Sequence, residues 1–392
     1  MLDKTDIMTR IRRHKFVPPA ARPYLLFGPE DVDGIRRRAA AYPGLSDRLT
    51  ARARGLLEAP GDRINNLQTY VSSAELVDVA AAHVIAPDAA MRHWLRDRVF
   101  GMFTAKTWFA PVHVGGCRVC DHCMNNTAAH IALALDMAPE AFQPGDFPDV
   151  ARRLRPFHLE PFLDGTGGQP EWWFKPGCAS NWKIMCCGEA GVAFCGFAGH
   201  WPEAPEAMAR AAQGVIEVLD LVPPEGDWGE GVGYWFHTLW MGLRYARSLR
   251  RLSGGELDLF QHPALKVTGD FLAQLTTPAG RVYNFADCDP GLGDIMTETL
   301  AMLAVEQNRP DWMHVARMAP AASPLFLACD DPALRSEPPK RLSAQFPATG
   351  AASLRTGWSR DDLFVGFKCG PSTVGHSHLD ANSFMIEAGG SG

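Results

Sequence analysis

Residues 375–384 read GHSHLDANSF and lie in the last part of the chain, where the pattern of apolar residues has changed from near Pro338 onward. Up to about residue 320, apolar residues recur at spacings of three and four, which is the periodicity of amphipathic helices. The histidine stretch instead runs into SFMIEAGG, which has the texture of a strand. The sequence therefore predicts a mainly α-helical protein followed by a sheet, with two histidines beside that sheet.

The helical part is a succession of amphipathic segments divided by Pro and Gly. No convincing strands lie between them and the connections are short, which predicts stacked antiparallel helix pairs in an α/α solenoid or toroid. The clearest segments are PDAAMRHWLRDRVFGMF (87–103), NNTAAHIALALDM (125–137), EAMARAAQGVIEVLDLV (206–222) and MTETLAMLAVEQ (296–307).

A linker-like run of Pro, Ser and charged residues, SEPPKRLSAQFPATG, precedes the sheet. Two short segments then meet at a Ser-Arg-Asp-Asp turn, and Leu363, Val365 and Phe367 alternate as in a half-buried strand. Since a sheet of two or three strands is marginal alone, we expect the start of an antiparallel β-domain that is cut short. The predicted division is 1–335 for the helical domain and 336–392 for the sheet.

The composition is that of an ordinary globular protein. Of 392 residues, 21% are charged and 46% are apolar, and the net charge is -6; this length allows more than one domain. Because phosphate neutralisation needs a face rich in Lys and Arg, the composition argues against a nucleic-acid partner. A polyanionic substrate in a locally positive cleft stays open.

The N-terminus and the cysteines bear on localisation. MLDKTDIMTRIRRHKF lacks the apolar core of a signal peptide, and no run approaches the roughly 18 apolar residues of a membrane span. Ten cysteines favour a reducing compartment. We therefore expect a cytoplasmic protein that does not contact a membrane, or a periplasmic one if a signal peptide has been removed. The oligomeric state stays open.

Four stretches carry side chains suited to chemistry, and two of them lie in the second half. In GHSHLDANSF, His376 and His378 would point to one side of an extended segment with Asp380 beside them, as a polar hairpin, a metal site or a catalytic base. In GDWGEGVGYWFHTLW (226–240), four glycines allow a close approach of the backbone and Tyr234 begins a helix. This tyrosine either packs a helix pair or transfers a proton in a cleft.

The other two stretches lie nearer the N-terminus. CASNWKIMCCGEAGVAFCG (178–196) is rich in small residues, which suits a tightly packed central helix; Asn181 is its expected N-cap or else a donor to a substrate carboxylate. GGCRVCDHC (115–123) spaces three cysteines by three beside His113 and His122. A second CxxC pair is missing from this stretch, so metal binding, redox chemistry and packed thiols all stay open. The three thiols belong to Cys117, Cys120 and Cys123.

Together, GHSHLDANSF, the EGVGY of residues 230–234 and the Asn-Trp start of the small-residue helix resemble the heparinase II/III-like polysaccharide lyases, a superfamily that includes heparin, heparan and oligoalginate lyases. NFADCDP (284–290) is similar to the segment before that family's last toroid helices. The resemblance covers roughly residues 170–390. It implies an incomplete (α/α) toroid followed by an antiparallel β-sandwich, most of which this sequence would lack.

The resemblance also implies a reaction: β-elimination from a uronic-acid polysaccharide of the alginate or heparin/heparan type. Asn181 would donate to the substrate carboxylate, Tyr234 would transfer a proton, and His376 would be the partner base or stabilise charge. No cofactor is required for that chemistry, while a structural zinc or calcium ion is compatible with it, with His378 as a ligand. The expected substrate contacts are Asn181, Trp182, His237 and Arg281.

Trp182 departs from the pattern of several family members, which have histidine after the asparagine; it either stacks on a sugar ring or packs in the core. Two other classes of function stay open. A glycoside hydrolase would need paired carboxylates, for which Asp287 and Asp289 are available. A carbohydrate-binding or scaffold protein without catalysis, with zinc at the cysteines, would need no such pair.

Overall fold

The computed structural model of the chain describes residues 4–59 and 69–390. The protein is mainly helical with a small antiparallel sheet towards its C-terminus, so the predicted fold class is confirmed. Among the described residues, two compact units are formed: a helical unit (4–217 and 241–259) and a mixed unit (218–240 and 260–390). The division at residue 335 stays a prediction, and its outermost residues, 1–3 and 391–392, lie outside the described part.

The helices of the described residues are mostly short and follow one another closely. None of them is both long and apolar enough to cross a membrane. They are α1 (Lys4–Arg13), α2 (Pro29–Ala41), α3 (Pro43–Leu57), α4 (Thr69–Ile85), α5 (Ala89–Met102), α6 (His122–Met137), α7 (Asp146–Leu154), α8 (Glu160–Gly165), α9 (Asn181–Gly196), α10 (Ala204–Leu219), α11 (Val232–Leu252), α12 (Gly269–Leu275), α13 (Asp294–Glu306), α14 (Pro310–Ala316) and α15 (Pro324–Cys329).

Helices α6 and α9 form the core of the helical unit. Every residue of α6 from Cys123 to Met137 is buried, and α9 buries all of its residues except Trp182 and Met185. A helix enclosed on all sides needs small residues where its neighbours approach. An added Cβ on Gly188 would lie 2.5 Å from the backbone of Met241 in α11. The prediction that this small-residue segment is a central, tightly packed helix is confirmed.

The start of α9 corrects the predicted cap. Ser180 is the N-cap residue, and its Oγ accepts a hydrogen bond from the backbone N–H of Trp182 at 3.2 Å. Asn181 is the first helical residue instead. Serine and asparagine are almost equally good caps, so two adjacent candidates left the pattern ambiguous by one position. The prediction of Asn181 as the cap is wrong, and the Asn181 amide does not cap the helix.

Four strands form the sheet of the mixed unit, in the order β1-β2-β3-β4 with every neighbouring pair antiparallel. Because side chains alternate between the two faces of a strand, one face of this sheet is buried and the other is open. The outer face exposes large apolar side chains, of the kind that a second sheet covers in a β-sandwich. The strands are β1 (Ser343–Phe346), β2 (Ala351–Arg355), β3 (Phe364–Lys368) and β4 (Ser383–Glu387).

Strand β3 buries the opposite set of residues from the predicted one. Phe364, Gly366 and Lys368 face inward. A buried lysine is costly unless it is paired, and Lys368 forms an ion pair with Asp380 at 2.9 Å. The alternation of apolar residues therefore predicts the wrong buried face for β3. It does so because the charge of the inward-facing Lys368 is neutralised by Asp380, which lies outside this strand. The residues that face outward or are half-buried are Leu363, Val365 and Phe367.

The inner face of the sheet holds the chain that precedes α13. The guanidinium group of buried Arg355 donates to the backbone carbonyl groups of Gln274 and Thr276, at the end of α12. The ring of Tyr283 packs on Gly366, and its hydroxyl donates to the carbonyl oxygen of Ser383 in β4 at 3.0 Å. Residues 284–290, the aspartate segment, are thereby brought next to residues 374–382, the histidine loop.

Candidate active site

The glycine-rich loop places Tyr234 in the first turn of α11. Gly231 has a φ of 92°, in the left-handed region that glycine adopts without steric cost. Gly233 packs directly on the aspartate segment, because a Cβ at this position would lie 2.1 Å from the carbonyl oxygen of Asp287. The spacing of these glycines therefore brings the tyrosine to the segment that carries Asp287.

Gly233→Ala is expected to lower the free energy of unfolding by about 1–3 kcal/mol, since the added methyl group must displace backbone atoms of the aspartate segment. Urea denaturation followed by circular dichroism measures the loss. Gly229→Ala is the matched control, because nothing lies within 4 Å of its Cβ position; a change below about 0.5 kcal/mol is expected there. Equal stability of the two variants would contradict the close packing at Gly233.

The histidine loop is fastened to the aspartate segment by hydrogen bonds. The backbone N–H of Asp287 donates to the carbonyl oxygen of His376 at 3.2 Å, and that of Ala286 donates to the carboxylate of Asp380 at 3.1 Å. Asp380 in turn pairs with Lys368 of β3. His376 has a φ of 61°, so the loop is not the extended segment that would point both histidines to one side. Asp380 acts as an anchor of this loop.

Asp287 bridges the two histidines of the loop. Its Oδ2 lies 3.0 Å from Nδ1 of His376, and its Oδ1 lies 2.6 Å from Nε2 of His378. A carboxylate only accepts hydrogen bonds, so each of these ring nitrogens is the protonated one. In the neutral ring of His376, the lone pair is then on Nε2. The hydrogen bonds from His378 and His376 lower the pKa of Asp287, which keeps the carboxylate charged at neutral pH.

Tyr234 stacks on His376, with ring centroids 3.6 Å apart and ring planes 13° from parallel. Partial burial raises the pKa of Tyr234, and the carboxylates of Asp287 and Glu230 raise it further. Even at a tyrosine's ordinary pKa of about 10, only about one hydroxyl in a thousand is ionised at pH 7. Tyr234 is therefore a protonated hydroxyl beside an imidazole, which is a proton donor next to a potential acceptor.

Two further titratable groups surround this pair. Burial raises the pKa of Glu230, although the hydrogen bond donated by Trp228 Nε1 at 2.9 Å opposes that shift. Burial also lowers the pKa of His237, whose ring centroid lies 5.3 Å from that of Tyr234. Both shifts favour the neutral form of the side chain.

Solved structures share this fold. A heparinase III gene product superposes with a TM-score of 0.60 at 11% sequence identity, covering 99% of this chain and 60% of its own. A second heparinase III structure gives 0.59 at 12% identity, covering 99% of this chain and 61% of its own. The chain has the heparinase III fold. The fold that the motif resemblance predicts, that of the heparinase-like polysaccharide lyases, is thereby confirmed.

Other heparinase-type structures match over a shorter length. The heparan sulfate lyase HepC from Pedobacter heparinus gives a TM-score of 0.53 at 12% identity, covering 82% of this chain and 47% of its own. The chain thus spans about half to three-fifths of the length of these structures. No protein-family model and no curated protein sequence matches it. At such identities the likeness describes the fold, and the site has to be argued from its own residues.

In this heparinase fold, Asn181 and Trp182 belong to the helical unit. The Asn181 side chain is buried, with its Oδ1 3.3 Å from Ser180 Oγ and its Nδ2 3.6 Å from Met185 Sδ. Trp182 is half-buried, and its ring lies 5.2 Å from that of Trp172. Within the part of the chain that the structure describes, the hydrogen bonds of this amide go to a sulfur atom and a hydroxyl, so it is weakly held. Carboxylate binding by Asn181 and sugar stacking by Trp182 stay predictions.

Arg281 and His378 have partners within the mixed unit. The guanidinium group of Arg281 bonds to the carboxylate of Glu387, whose side chain is fully buried, at 2.7 and 2.6 Å. This ion pair fastens the chain just before the aspartate segment to β4. A substrate contact by Arg281 stays a prediction. His378 is hydrogen-bonded to Asp287, and its role as a metal ligand likewise stays a prediction.

The residue that sequence reasoning missed is Asp287. It was considered only as half of a carboxylate pair for a hydrolase, whereas both of its oxygens are engaged by imidazole rings. The sequence does offer one signal, because Asp287 lies in NFADCDP, a segment that is similar to one in the heparinase II/III-like lyases. The histidines that it contacts, however, lie about 90 residues further along the chain. Only the fold brings the two stretches together.

Proposed function

We propose that the chain cleaves a uronic-acid-containing polysaccharide or oligosaccharide by β-elimination. The observation that carries the proposal is the stacking of Tyr234 on His376, whose Nδ1 is held by Asp287. The fold likeness to heparinase III and heparan sulfate lyase structures supports a polysaccharide as the substrate. A hydrolase is supported less well, because Asp287 is occupied by two histidines rather than available as one of two catalytic carboxylates.

The elimination requires a base and an acid that are close neighbours. Nε2 of His376 takes the proton from carbon 5, and the electrons of that C–H bond form the double bond between carbons 4 and 5. The bond from carbon 4 to the glycosidic oxygen breaks, and this oxygen takes the hydroxyl proton of Tyr234. Water does not enter the products. Since the two reacting atoms are on adjacent carbons, stacked side chains are suited to serve both.

The arrangement also supports one choice of acid and base. The raised pKa of Tyr234 disfavours a tyrosinate base and favours a phenol that gives up its proton late, to a developing alkoxide. Removal of the carbon-5 proton places negative charge on the substrate carboxylate, so a hydrogen-bond donor is needed there. The family resemblance assigns this donor to Asn181.

Stereochemistry follows from the contact between the two rings. Adjacent acid and base groups favour a substrate in which the carbon-5 hydrogen and the carbon-4 oxygen lie on the same face of the sugar. Glucuronate and mannuronate have that arrangement, whereas iduronate and guluronate place the two on opposite faces. The proposal therefore favours polymannuronate, or glucuronate in polymers such as heparan sulfate, chondroitin and hyaluronan.

Ultraviolet absorbance of the new conjugated double bond tests the proposal. The protein is incubated in turn with polymannuronate, polyguluronate, heparan sulfate, heparin, chondroitin and hyaluronan, with circular dichroism to establish that it is folded. We expect absorbance to grow with a polymer of the first stereochemical class. New reducing ends without absorbance would replace the proposal with hydrolysis, and a folded protein that leaves every polymer intact would refute catalysis on these substrates.

A further inference from the structure

Two histidines and a cysteine converge at the start of α6 in the helical unit. His113 ends a short 3-10 helix (Pro111–His113), and His122 and Cys123 begin α6. One potential ligand atom from each of the three lies within 4.8 Å of the other two. In the search of the described residues for three or more histidine, cysteine or carboxylate side chains close enough to share a metal ion, this is the group that is found. These three residues belong to the helical unit, whereas the tyrosine and histidine pair belongs to the mixed unit.

Asp121 orients the first of these ligands. The side chain of Asp121 is fully buried, and its Oδ2 accepts from Nδ1 of His113 at 2.8 Å. The carboxylate is itself fixed by the backbone N–H groups of Ala110 at 2.9 Å and Met124 at 3.0 Å. Because Nδ1 carries the proton, the lone pair of a neutral His113 is on Nε2. A carboxylate behind the coordinating ring is a common support of histidine ligands to metals.

Cys123 supplies a soft donor next to the second histidine. Its Sγ lies 3.8 Å from Nε2 of His122 and is buried. Zinc forms bonds of about 2.0–2.3 Å to nitrogen and sulfur, so its ligand atoms stand roughly 3.4–3.8 Å apart in a tetrahedron. The Cys123–His122 pair is at the upper end of that range, whereas the ligand atoms of the whole group lie within 4.8 Å of one another and have to draw closer on binding.

The neighbouring cysteines are placed differently. Sγ of Cys120 accepts a hydrogen bond from Nδ2 of Asn125 at 3.3 Å, and this side chain is fully buried. Cys117 lies in the same loop but outside the convergent group. The regular spacing of the three cysteines therefore does not define the ligand set. The set instead combines Cys123 with the two nearby histidines, His113 and His122.

We propose that His113, His122 and Cys123 bind one divalent transition-metal ion, with zinc as the best match. Imidazole and thiolate donors select zinc over calcium or magnesium, which prefer oxygen. Three protein ligands leave a fourth position open. The ring of Trp182 lies 4.7 Å from that of His113 and 4.9 Å from that of His122. The ion would join the 3-10 helix to α6 and fix both histidines against this tryptophan.

Cobalt(II) titration of the metal-free 392-residue protein, without a histidine tag, tests the site. A thiolate bound to cobalt gives a charge-transfer absorption band, which surface histidines cannot produce. We expect the band to saturate at one equivalent and to disappear when zinc is added. Cys123→Ser should abolish it, and His122→Gln should weaken binding by more than about tenfold, since even supporting residues of metal sites cost 10–100-fold.

Cys117→Ser is the matched control, because it removes a nearby buried thiol that is outside the proposed set. It should keep both the band and the affinity. A band that survives in Cys123→Ser, or one that is lost in Cys117→Ser, would overturn the ligand assignment, and no band in the folded parent protein would overturn the site. If Cys123→Ser does not fold by circular dichroism, retention of full affinity in folded His122→Gln refutes the proposal instead.

Discussion

Replacing Tyr234 by phenylalanine is expected to lower kcat of the elimination by about 10²- to 10⁴-fold, the usual range for loss of a positioned proton donor. Phenylalanine keeps the ring that stacks on His376 at 3.6 Å and removes only the hydroxyl. Folding and substrate affinity should therefore change little. Initial rates from double-bond absorbance give kcat, and equilibrium binding of an uncleaved oligosaccharide gives affinity separately.

Tyr283→Phe is the control for this substitution. It removes the same atom from a buried tyrosine of the mixed unit, whose hydroxyl bonds to the backbone of Ser383. That bond holds the sheet, so its loss should reduce stability by roughly 1 kcal/mol and leave most of the activity. Near-normal kcat in Tyr234→Phe would refute the proton-donor role, and equal losses in both variants would make the effect structural.

The sequence predicted the helical class and the two groups of the stacked pair. Helices can be inferred because the spacing of apolar residues is a local property of the sequence. The central position of α9 can be inferred because a helix packed closely on all sides is rich in glycine and other small residues. Tyr234 and His376 were singled out by motif resemblance. Their contact could not be derived from spacing, because it depends on Gly233 packing against Asp287 and on Tyr283 packing on the sheet.

The errors share a physical cause. The sequence predicts Asn181 as the cap because cap preference is a property of residue type, and Ser180 has nearly the same preference. The strand face was misjudged because Lys368 is buried by virtue of Asp380, a partner on another segment. Asp287 was undervalued because a carboxylate gains its role from what it touches. In each case the observed structure depends on a partner distant in sequence or on an adjacent residue with nearly the same preference. The local pattern of residue types shows neither.

Asp287→Asn is expected to lower kcat by about 10²-fold, less than the roughly 10⁴-fold found for a buried triad aspartate, since Asp287 is exposed to solvent. The amide can accept from one imidazole while its NH2 group faces the other, so the tautomer that leaves the lone pair on Nε2 of His376 is no longer enforced. His376 remains present but is poorly oriented as a base. Asp289→Asn is the matched control, two residues away, exposed and without a histidine partner in the structure described.

The pH dependence of the free energy of unfolding separates the charge of the carboxylate from mere structural damage. Because the hydrogen bonds from His378 and His376 lower the pKa of Asp287 in the folded protein, its contribution to stability is present at neutral pH and is lost as pH falls through that lowered pKa. Asp287→Asn should remove this part of the pH dependence, which urea denaturation across the acid range measures. An unchanged pH dependence in Asp287→Asn would refute the electrostatic role of the carboxylate. Loss of activity in Asp289→Asn of the same size would instead revive a paired-carboxylate mechanism, because only a hydrolase needs both acids.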